Sequence, residues 1–151
     1  MHEPPPLVSV VVVTLNASAL LERCLESLQH QDYSPLQIIV VDNGSTEDIV
    51  TLLARRFPDV QLVRLAANCG FAGGNNRGLA CARGRYVALL NNDAIADPHW
   101  IRALVAAAED HPRVGAVGAV VMDGNRPGVL DSCGVGIALD GMSRQARKGE
   151  P

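Results

Sequence analysis

The chain has 151 residues, 48% of them apolar and 19% charged, a balance that excludes a disordered or fibrous protein. Its formal net charge of −3 comes with no basic stripe, which argues against nucleic acid as a partner. With one Trp, two Tyr and two Phe, a core has to be built from Val, Leu, Ile and Ala, and a single domain of this length buries roughly 70% of its unfolded surface.

Residues 1–7, with the Pro4 to Pro6 triplet, read as an extended arm. Met1, His2 and Glu3 do not start the charged-then-apolar order of a signal peptide, and no apolar run approaches the roughly 18 residues of a membrane span. The expectation is a cytoplasmic protein with no transmembrane segment, peripheral association at the inner face of a membrane staying open. Cys24, Cys69, Cys81 and Cys133 form no C-x-x-C pair, so free thiols are expected rather than a zinc site or a disulfide.

Val8 to Leu15 is almost continuously apolar, as a strand covered on both faces should be. Leu20, Leu21, Cys24, Leu25 and Leu28 follow at helical spacing, with Asn16 or Ser18 as the expected cap. Leu36 to Val41 reads as a second buried strand ending at Asp42. Asn43 to Ser45 turn the chain, and Ser45 with Asp48 resembles a capping box for a helix through Ile49, Leu52, Leu53 and Phe57, stopped by Pro58.

Val60 to Leu65 reads as a third strand, followed by a Gly- and Asn-rich stretch from Asn68 to Gly78, read as a loop. A short helix through Leu79, Ala80 and Ala82 then leads to a strand at Tyr86 to Leu90. Asp97 and Pro98 predict an N-cap and first position for a helix through Ile101, Leu104 and Val105, closed by His111 and Pro112. Val114 to Met122 is expected to be a fifth strand. Beyond Asp123, Gly124, Gly128, Gly134, Gly136 and Gly141 punctuate short apolar pieces, and residues 143–151 form a polar tail, which leaves 8–142 as the folded domain.

Alternating strands and helices predict an α/β fold, a mostly parallel sheet flanked by helices with right-handed crossovers. In such folds ligands bind beyond the carboxyl ends of the strands. Thr14 and Asn16, Asp42 to Ser45, Asn68 to Asn76, and Asn91 to Asp93 all follow strands, so they should converge on one edge. Asn, Asp and Gly also dominate ordinary turns, but four coincident clusters point to a polar ligand. Asp42 can accept from a base N–H or a ribose hydroxyl. The Gly70 to Asn76 segment offers backbone N–H groups to phosphate or sugar, although it matches neither a P-loop nor G-x-G-x-x-G. Asp93, just past a buried strand, can hold a divalent cation together with phosphate oxygens and water.

The segments Val8 to Asn16 and Val41 to Ser45 resemble the opening of family 2 glycosyltransferases of the GT-A fold. Asn68 to Asn76, followed by Leu89 to Asp93, resembles the rhamnosyltransferase-like branch, and the likeness runs from about Val8 to Gly134. It implies transfer of a sugar, with inversion, from a nucleoside-diphosphate sugar (dTDP-rhamnose-like or a UDP-sugar) to a glycan or lipid-linked acceptor, in polysaccharide biosynthesis. It implies Mg²⁺ or Mn²⁺ held by a D-x-D motif, which here reads Asn91-Asn92-Asp93 and leaves Asp93 as its one carboxylate and metal ligand. By the same resemblance Thr14, Asn16 and Asp42 cradle the nucleoside, Asn68, Gly70, Gly73 and Asn75 approach the ribose and diphosphate, and Asn91 and Asn92 complete the site.

The family's general base, an acid in a downstream Glu-Asp-type motif, has no match after Gly134, and Asp123, Asp131, Asp140 and Glu150 are not assigned to the role. The chain therefore reads as the N-terminal, nucleotide-binding portion of a larger catalytic domain. The alternative is a non-catalytic nucleotide-sugar-binding or interaction module. A nucleotidyltransferase is disfavoured, because Thr14 to Ser18 lacks the Gly-rich, Arg-containing loop such enzymes need.

Overall fold

A computed structural model describes residues 4–111, 113–133, 135–137, 143–145 and 147–150. The readings placed on Met1 to Glu3, Pro112, Gly134, Asp140 and Gly141 lie outside these residues. Two compact units are present, Met1–Arg102 and Ala103–Pro151.

In the first unit, β1 (Val8–Thr14), β2 (Leu36–Asp42), β3 (Gln61–Arg64) and β4 (Tyr86–Asn91) form one parallel sheet in the order β3-β2-β1-β4. The β-branched runs of β1 and β2 are its centre: Val10, Val11, Val12, Ile39, Val40 and Val41 are fully buried. Burial of each such side chain stabilises the fold by about 1.5–3 kcal/mol. The register sets Thr14 opposite Asp42 and Asp42 opposite Arg64, so three polar side chains form a row at the carboxyl edge.

Helix α1 (Ser18–Gln29) buries Leu21, Cys24, Leu25 and Leu28, one stripe at i, i+3, i+4 and i+7. Its N-cap is Ala17, with no side-chain cap; the expected caps are otherwise engaged. Ser18 donates its backbone N–H to Glu47 Oε2 at 2.7 Å, and the Asn16 carboxamide oxygen accepts from Thr46. Helix α2 (Ile49–Arg56) is capped by Asp48, whose Oδ1 accepts from Thr51 N at 3.0 Å. The expected Ser45–Asp48 capping box does not form, because Ser45 Oγ accepts from Asn16 N instead.

The largest departure from the sequence expectation is α3 (Gly70–Leu79): the Gly- and Asn-rich stretch is itself the helix, not a loop before one. Close packing is the reason. A Cβ on Gly78 would lie 2.3 Å from Val11 Cγ1, and one on Gly74 would lie 2.7 Å from Val13 Cγ1. Only glycine lets the helix backbone approach β1 so closely, and that packing outweighs the poor helix propensity of the segment. Helix α4 (Trp100–Asp110) starts two residues after Pro98, because Asp97 caps a preceding turn through Oδ1 and the His99 N–H (2.8 Å).

In the second unit, the predicted strand over Val114 to Met122 shrinks to β5 (Val121–Met122), paired antiparallel with β6 (Leu130–Ser132). Gly115 and Gly118 contribute no side chains, and Val114, Val117 and Val120 are exposed, so the segment has no buried face to fix it as a strand. β7 (Val135–Ile137) and β8 (Ser143–Gln145) form a second antiparallel pair, where the sequence suggested disorder of pattern and a polar tail.

Candidate functional site

The two edges of the parallel sheet are both polar but differ in how their groups are satisfied. At the amino edge, Ser9 Oγ donates to Gln37 Oε1 (2.6 Å), Gln37 Nε2 donates to Gln61 Oε1 and Cys81 O, and the Arg83 and Gly84 N–H groups close the network. That network is complete and structural. The carboxyl edge is not complete.

There, Asp42 is 0% exposed. Its Oδ1 accepts from Ser45 N at 2.8 Å, closing the turn after β2. Its Oδ2 is, among the described residues, the one buried side-chain oxygen or nitrogen without a hydrogen-bond partner. Arg64 Nε stands 3.5 Å from it, an attraction between charges without a hydrogen bond. Burying an unsatisfied acceptor is costly, so such an atom at a strand end calls for an explanation. A cleft of about 380 Å³ lies alongside, lined by Gly44, Ser45, Arg64, Leu65 and Ala66. Asp42 is thus buried at the end of β2, between the turn that follows it and Arg64.

Asn43 is the organising residue that the sequence left as a plain turn former. Buried at 3% exposure, it donates through Nδ2 to Asn68 Oδ1 (2.9 Å) and to Gly70 O (3.2 Å). Its Oδ1 accepts from Cys69 N at 3.0 Å. Asn68 Oδ1 also accepts from Gly70 N, so the turn after β2 sets the position of the α3 N-terminus. Gly44 permits this approach. Its φ is +88°, and a Cβ there would meet the Ala67 backbone at 2.8 Å.

The loop after β1 joins the same turn. Asn16, itself at φ +49°, accepts through Oδ1 from Thr46 N (2.8 Å) and Thr46 Oγ1 (3.0 Å). Thr14, 1% exposed, accepts through Oγ1 from Asn92 Nδ2 at 3.1 Å, which ties β1 to the turn after β4. Asn91 is exposed, and its carbonyl accepts weakly from the Cys24 thiol at 3.5 Å. Burial, and second to it the negative charge of Asp93, pushes the Cys24 thiol up to about 12. Thr14, Asp42, Asn68, Gly70, Asn91, Asn92 and Asp93 therefore gather at one edge, as expected. Two candidates do not present themselves in the way the sequence suggested. Gly73 lies within α3, and Asn75 is buried and donates back to Phe71 O of its own helix at 2.9 Å.

Asp93 is exposed. Among the described residues no cluster of three or more His, Cys, Asp or Glu could hold a metal ion. One free-standing carboxylate does not suit Zn²⁺, which takes a full protein ligand set. It does fit Mg²⁺ or Mn²⁺, whose remaining positions are filled by phosphate oxygens and water.

The model of the family described as glycosyl transferase family 2 matches residues 9–131. An uncharacterized glycosyltransferase of Haemophilus influenzae is 33% identical over 120 residues, covering 76% of this chain and 36% of that protein. The N-acetylglucosaminyl-diphospho-decaprenol L-rhamnosyltransferase of Mycobacterium tuberculosis is 33% identical over 125 residues, 76% of this chain and 41% of that one. Among solved structures, Staphylococcus aureus TarS 1–349 in complex with UDP superposes with a TM-score of 0.64 at 24% identity, over 70% of this chain and 32% of that one. The mannosyltransferase PcManGT from Pyrobaculum calidifontis, in complex with GDP-Man and Mn²⁺, gives 0.60 at 29% identity, over 78% and 35%. The chain thus spans 36–41% of the length of these two curated relatives. Its parallel sheet, flanking helices and structural neighbours are those of GT-A glycosyltransferases. From the family match and these relatives, the chain belongs to glycosyl transferase family 2.

Proposed function

We propose that the carboxyl edge of the sheet binds a nucleoside-diphosphate sugar, and that the domain this chain belongs to transfers the sugar to an acceptor hydroxyl with inversion. The observation that carries this reading is the buried, unpartnered Asp42 Oδ2 at the end of a central strand, beside a cleft. A base N–H supplies the partner that the folded chain lacks. The Thr14–Asn92 and Asn43–Asn68 bonds hold the floor and wall of the site in place before the ligand arrives. At the start of α3 the Gly70 N–H is held by Asn68 Oδ1, and the amide N–H groups that follow it in the first turn, without intrahelical partners, suit the diphosphate. Asp93 would hold Mg²⁺ or Mn²⁺ next to it. When bound, the cation supplies charge neutralisation for the departing diphosphate. A dTDP- or UDP-linked sugar as donor, a glycan or lipid-linked acceptor and a place in polysaccharide biosynthesis extend the same proposal. TarS was solved with UDP and the mannosyltransferase with GDP-Man, so family membership leaves the base open.

A second reading, a nucleotide-sugar-binding module without turnover, is favoured by one observation. In the second unit Asp123 pairs with Arg126, Asp131 with Lys148 and Glu150 with Arg147, which leaves none of the three poised as a general base.

Calorimetric titration of UDP, dTDP and GDP with and without Mn²⁺ tests the first reading. Saturable binding is expected, strengthened by the cation, with that gain cut at least about tenfold in Asp93→Ala. No binding by any of the three, or an unchanged Asp93→Ala titration, contradicts it. Sugar transfer by the 151-residue chain, lost in Asp93→Ala, eliminates the second reading.

A further inference from the structure

We infer that Asn43-Gly44 is a latent modification site: a pair able to deamidate by itself, held unreactive by the fold, whose conversion to aspartate or isoaspartate irreversibly uncouples α3 from β2. The inference is independent of the ligand proposed above.

The chemistry starts in the sequence. Asn43-Gly44 is the chain's one Asn-Gly pair. Glycine puts no side chain in the way, so its peptide nitrogen attacks the preceding carboxamide carbon more readily than that of a bulkier residue. The new C–N bond closes a five-membered succinimide ring, and the amide nitrogen leaves as ammonia with the peptide proton. Water then opens the ring at either carbonyl, giving aspartate or isoaspartate. One water is consumed and one ammonia released, with no oxidant or reductant.

The structure opposes that attack at each step. Both ends of the Asn43 carboxamide are committed to the segment ahead of α3. Nδ2 donates to Asn68 Oδ1 and Gly70 O, and Oδ1 accepts from the Cys69 N–H and, at 3.3 Å, from the Cys69 thiol. The Asn43 N–H donates to Thr14 O at 2.9 Å, which fixes the backbone on its other side. Gly44 packs so closely that a Cβ would lie 2.8 Å from the Ala67 carbonyl carbon, so its peptide cannot swing toward the carboxamide while that backbone stays in place. At 3% exposure Asn43 is also shielded from the water that opens the ring. Attack therefore requires residues 67–70 to lift from the turn after β2.

Once formed, the product cannot restore the contact. A carboxylate at position 43 still accepts from Cys69 N, but it has no proton to give and faces two acceptors, Asn68 Oδ1 and Gly70 O. Isoaspartate also inserts an extra backbone carbon into the turn.

Peptide mapping by mass spectrometry tests this on the 151-residue chain at pH 8, folded and in urea. In urea Asn43 should convert ahead of every other asparagine; in the folded chain its conversion should be at least about tenfold slower. Asn68→Ala, which removes one acceptor from Nδ2, should speed conversion in the folded state at least about threefold. Asn68→Asp keeps that acceptor and should keep the slow rate. Asn43→Asp, which installs the product, should unfold at lower urea than the parent chain. Equal rates in the folded and unfolded parent, a folded Asn68→Ala no faster than the parent, or an Asn43→Asp chain as stable as the parent overturns the inference. If Asn68→Ala does not fold, Asn68→Asp decides: slow conversion supports the lock, and conversion at the unfolded rate overturns it.

Discussion

Thr14 Oγ1 accepts a hydrogen bond from Asn92 Nδ2 at 3.1 Å, joining the end of β1 to the turn that carries Asp93. Through this contact a buried strand residue fixes the position of an exposed acidic turn. Thr14→Val keeps the shape and removes the acceptor. The variant should lose about 1 kcal/mol of stability, read from urea denaturation midpoints, and should bind nucleotide more weakly in the presence of Mn²⁺. Full retention of both would show that the contact holds nothing in place.

Gly78 sets a sharper test of the fold. In an exposed helix Gly→Ala gains about 1 kcal/mol from propensity. Here the added methyl meets Val11 Cγ1 at 2.3 Å, on a strand residue that is fully buried and cannot retreat. Overpacking of this kind costs about 1–3 kcal/mol, so the clash should win and Gly78→Ala should unfold at lower urea than the parent chain. Gly115→Ala, with nothing within 4 Å of the new Cβ, serves as the neutral control.

The thiols should separate by reactivity. Cys24 is fully buried and its thiol is pushed up to about 12, whereas Cys69 is exposed at the head of α3. Since the thiolate is the reacting species, iodoacetamide at pH 8 should label Cys69 in the native chain and Cys24 only on unfolding. Peptide mapping by mass spectrometry reads the outcome; equal labelling rates would contradict the packing of α1 against the sheet.

Acid should weaken the start of α2. Hydrogen bonds from Thr51, side chain first and backbone second, hold the exposed Asp48 carboxyl below its ordinary 3.8. A depressed carboxyl stabilises the folded state fully above the unfolded value and loses that contribution as pH falls through the folded one. The difference in melting temperature between the parent chain and Asp48→Ala should therefore be constant near neutrality and shrink below about pH 3.8. A difference that persists unchanged into strong acid would rule out the carboxylate cap.

How much of this was legible in the sequence depended on whether local pattern and tertiary packing agreed. Val8 to Val13 and Ile38 to Val41 are β-branched runs with no polar interruption other than Ser9, and they became the central strands. Because strand ends in a parallel sheet share one edge, the pattern of strands alone places Thr14, Asp42, Asn68 and Asn91 to Asp93 together. The Gly70 to Gly78 segment could not be read this way. Its composition signals a loop, and the demand that makes it a helix, close approach to Val11 and Val13, exists only in three dimensions.

The same limit hid Asn43 and Arg64. Asn43 sits between Asp42 and Gly44 in a sequence that any tight turn would favour, and its four side-chain hydrogen bonds all go to a segment 25 to 27 residues away. The one signal for Arg64 was a cation at the end of a strand whose neighbour ends in an aspartate. That pairing becomes visible only once β2 and β3 are in register.

The most direct measurement is a nitrogen-15 amide titration of the 151-residue chain with UDP and Mg²⁺. Perturbed amides are predicted to cluster at Thr14 to Asn16, Asp42 to Ser45, Arg64 to Ala66, Asn68 to Gly70 and Asn91 to Asp93. Ser9, Gln37 and Gly84, in the saturated network at the amino edge, should stay unchanged. Perturbations absent throughout, or centred on the amino edge, would contradict a nucleotide site at the carboxyl ends of the strands.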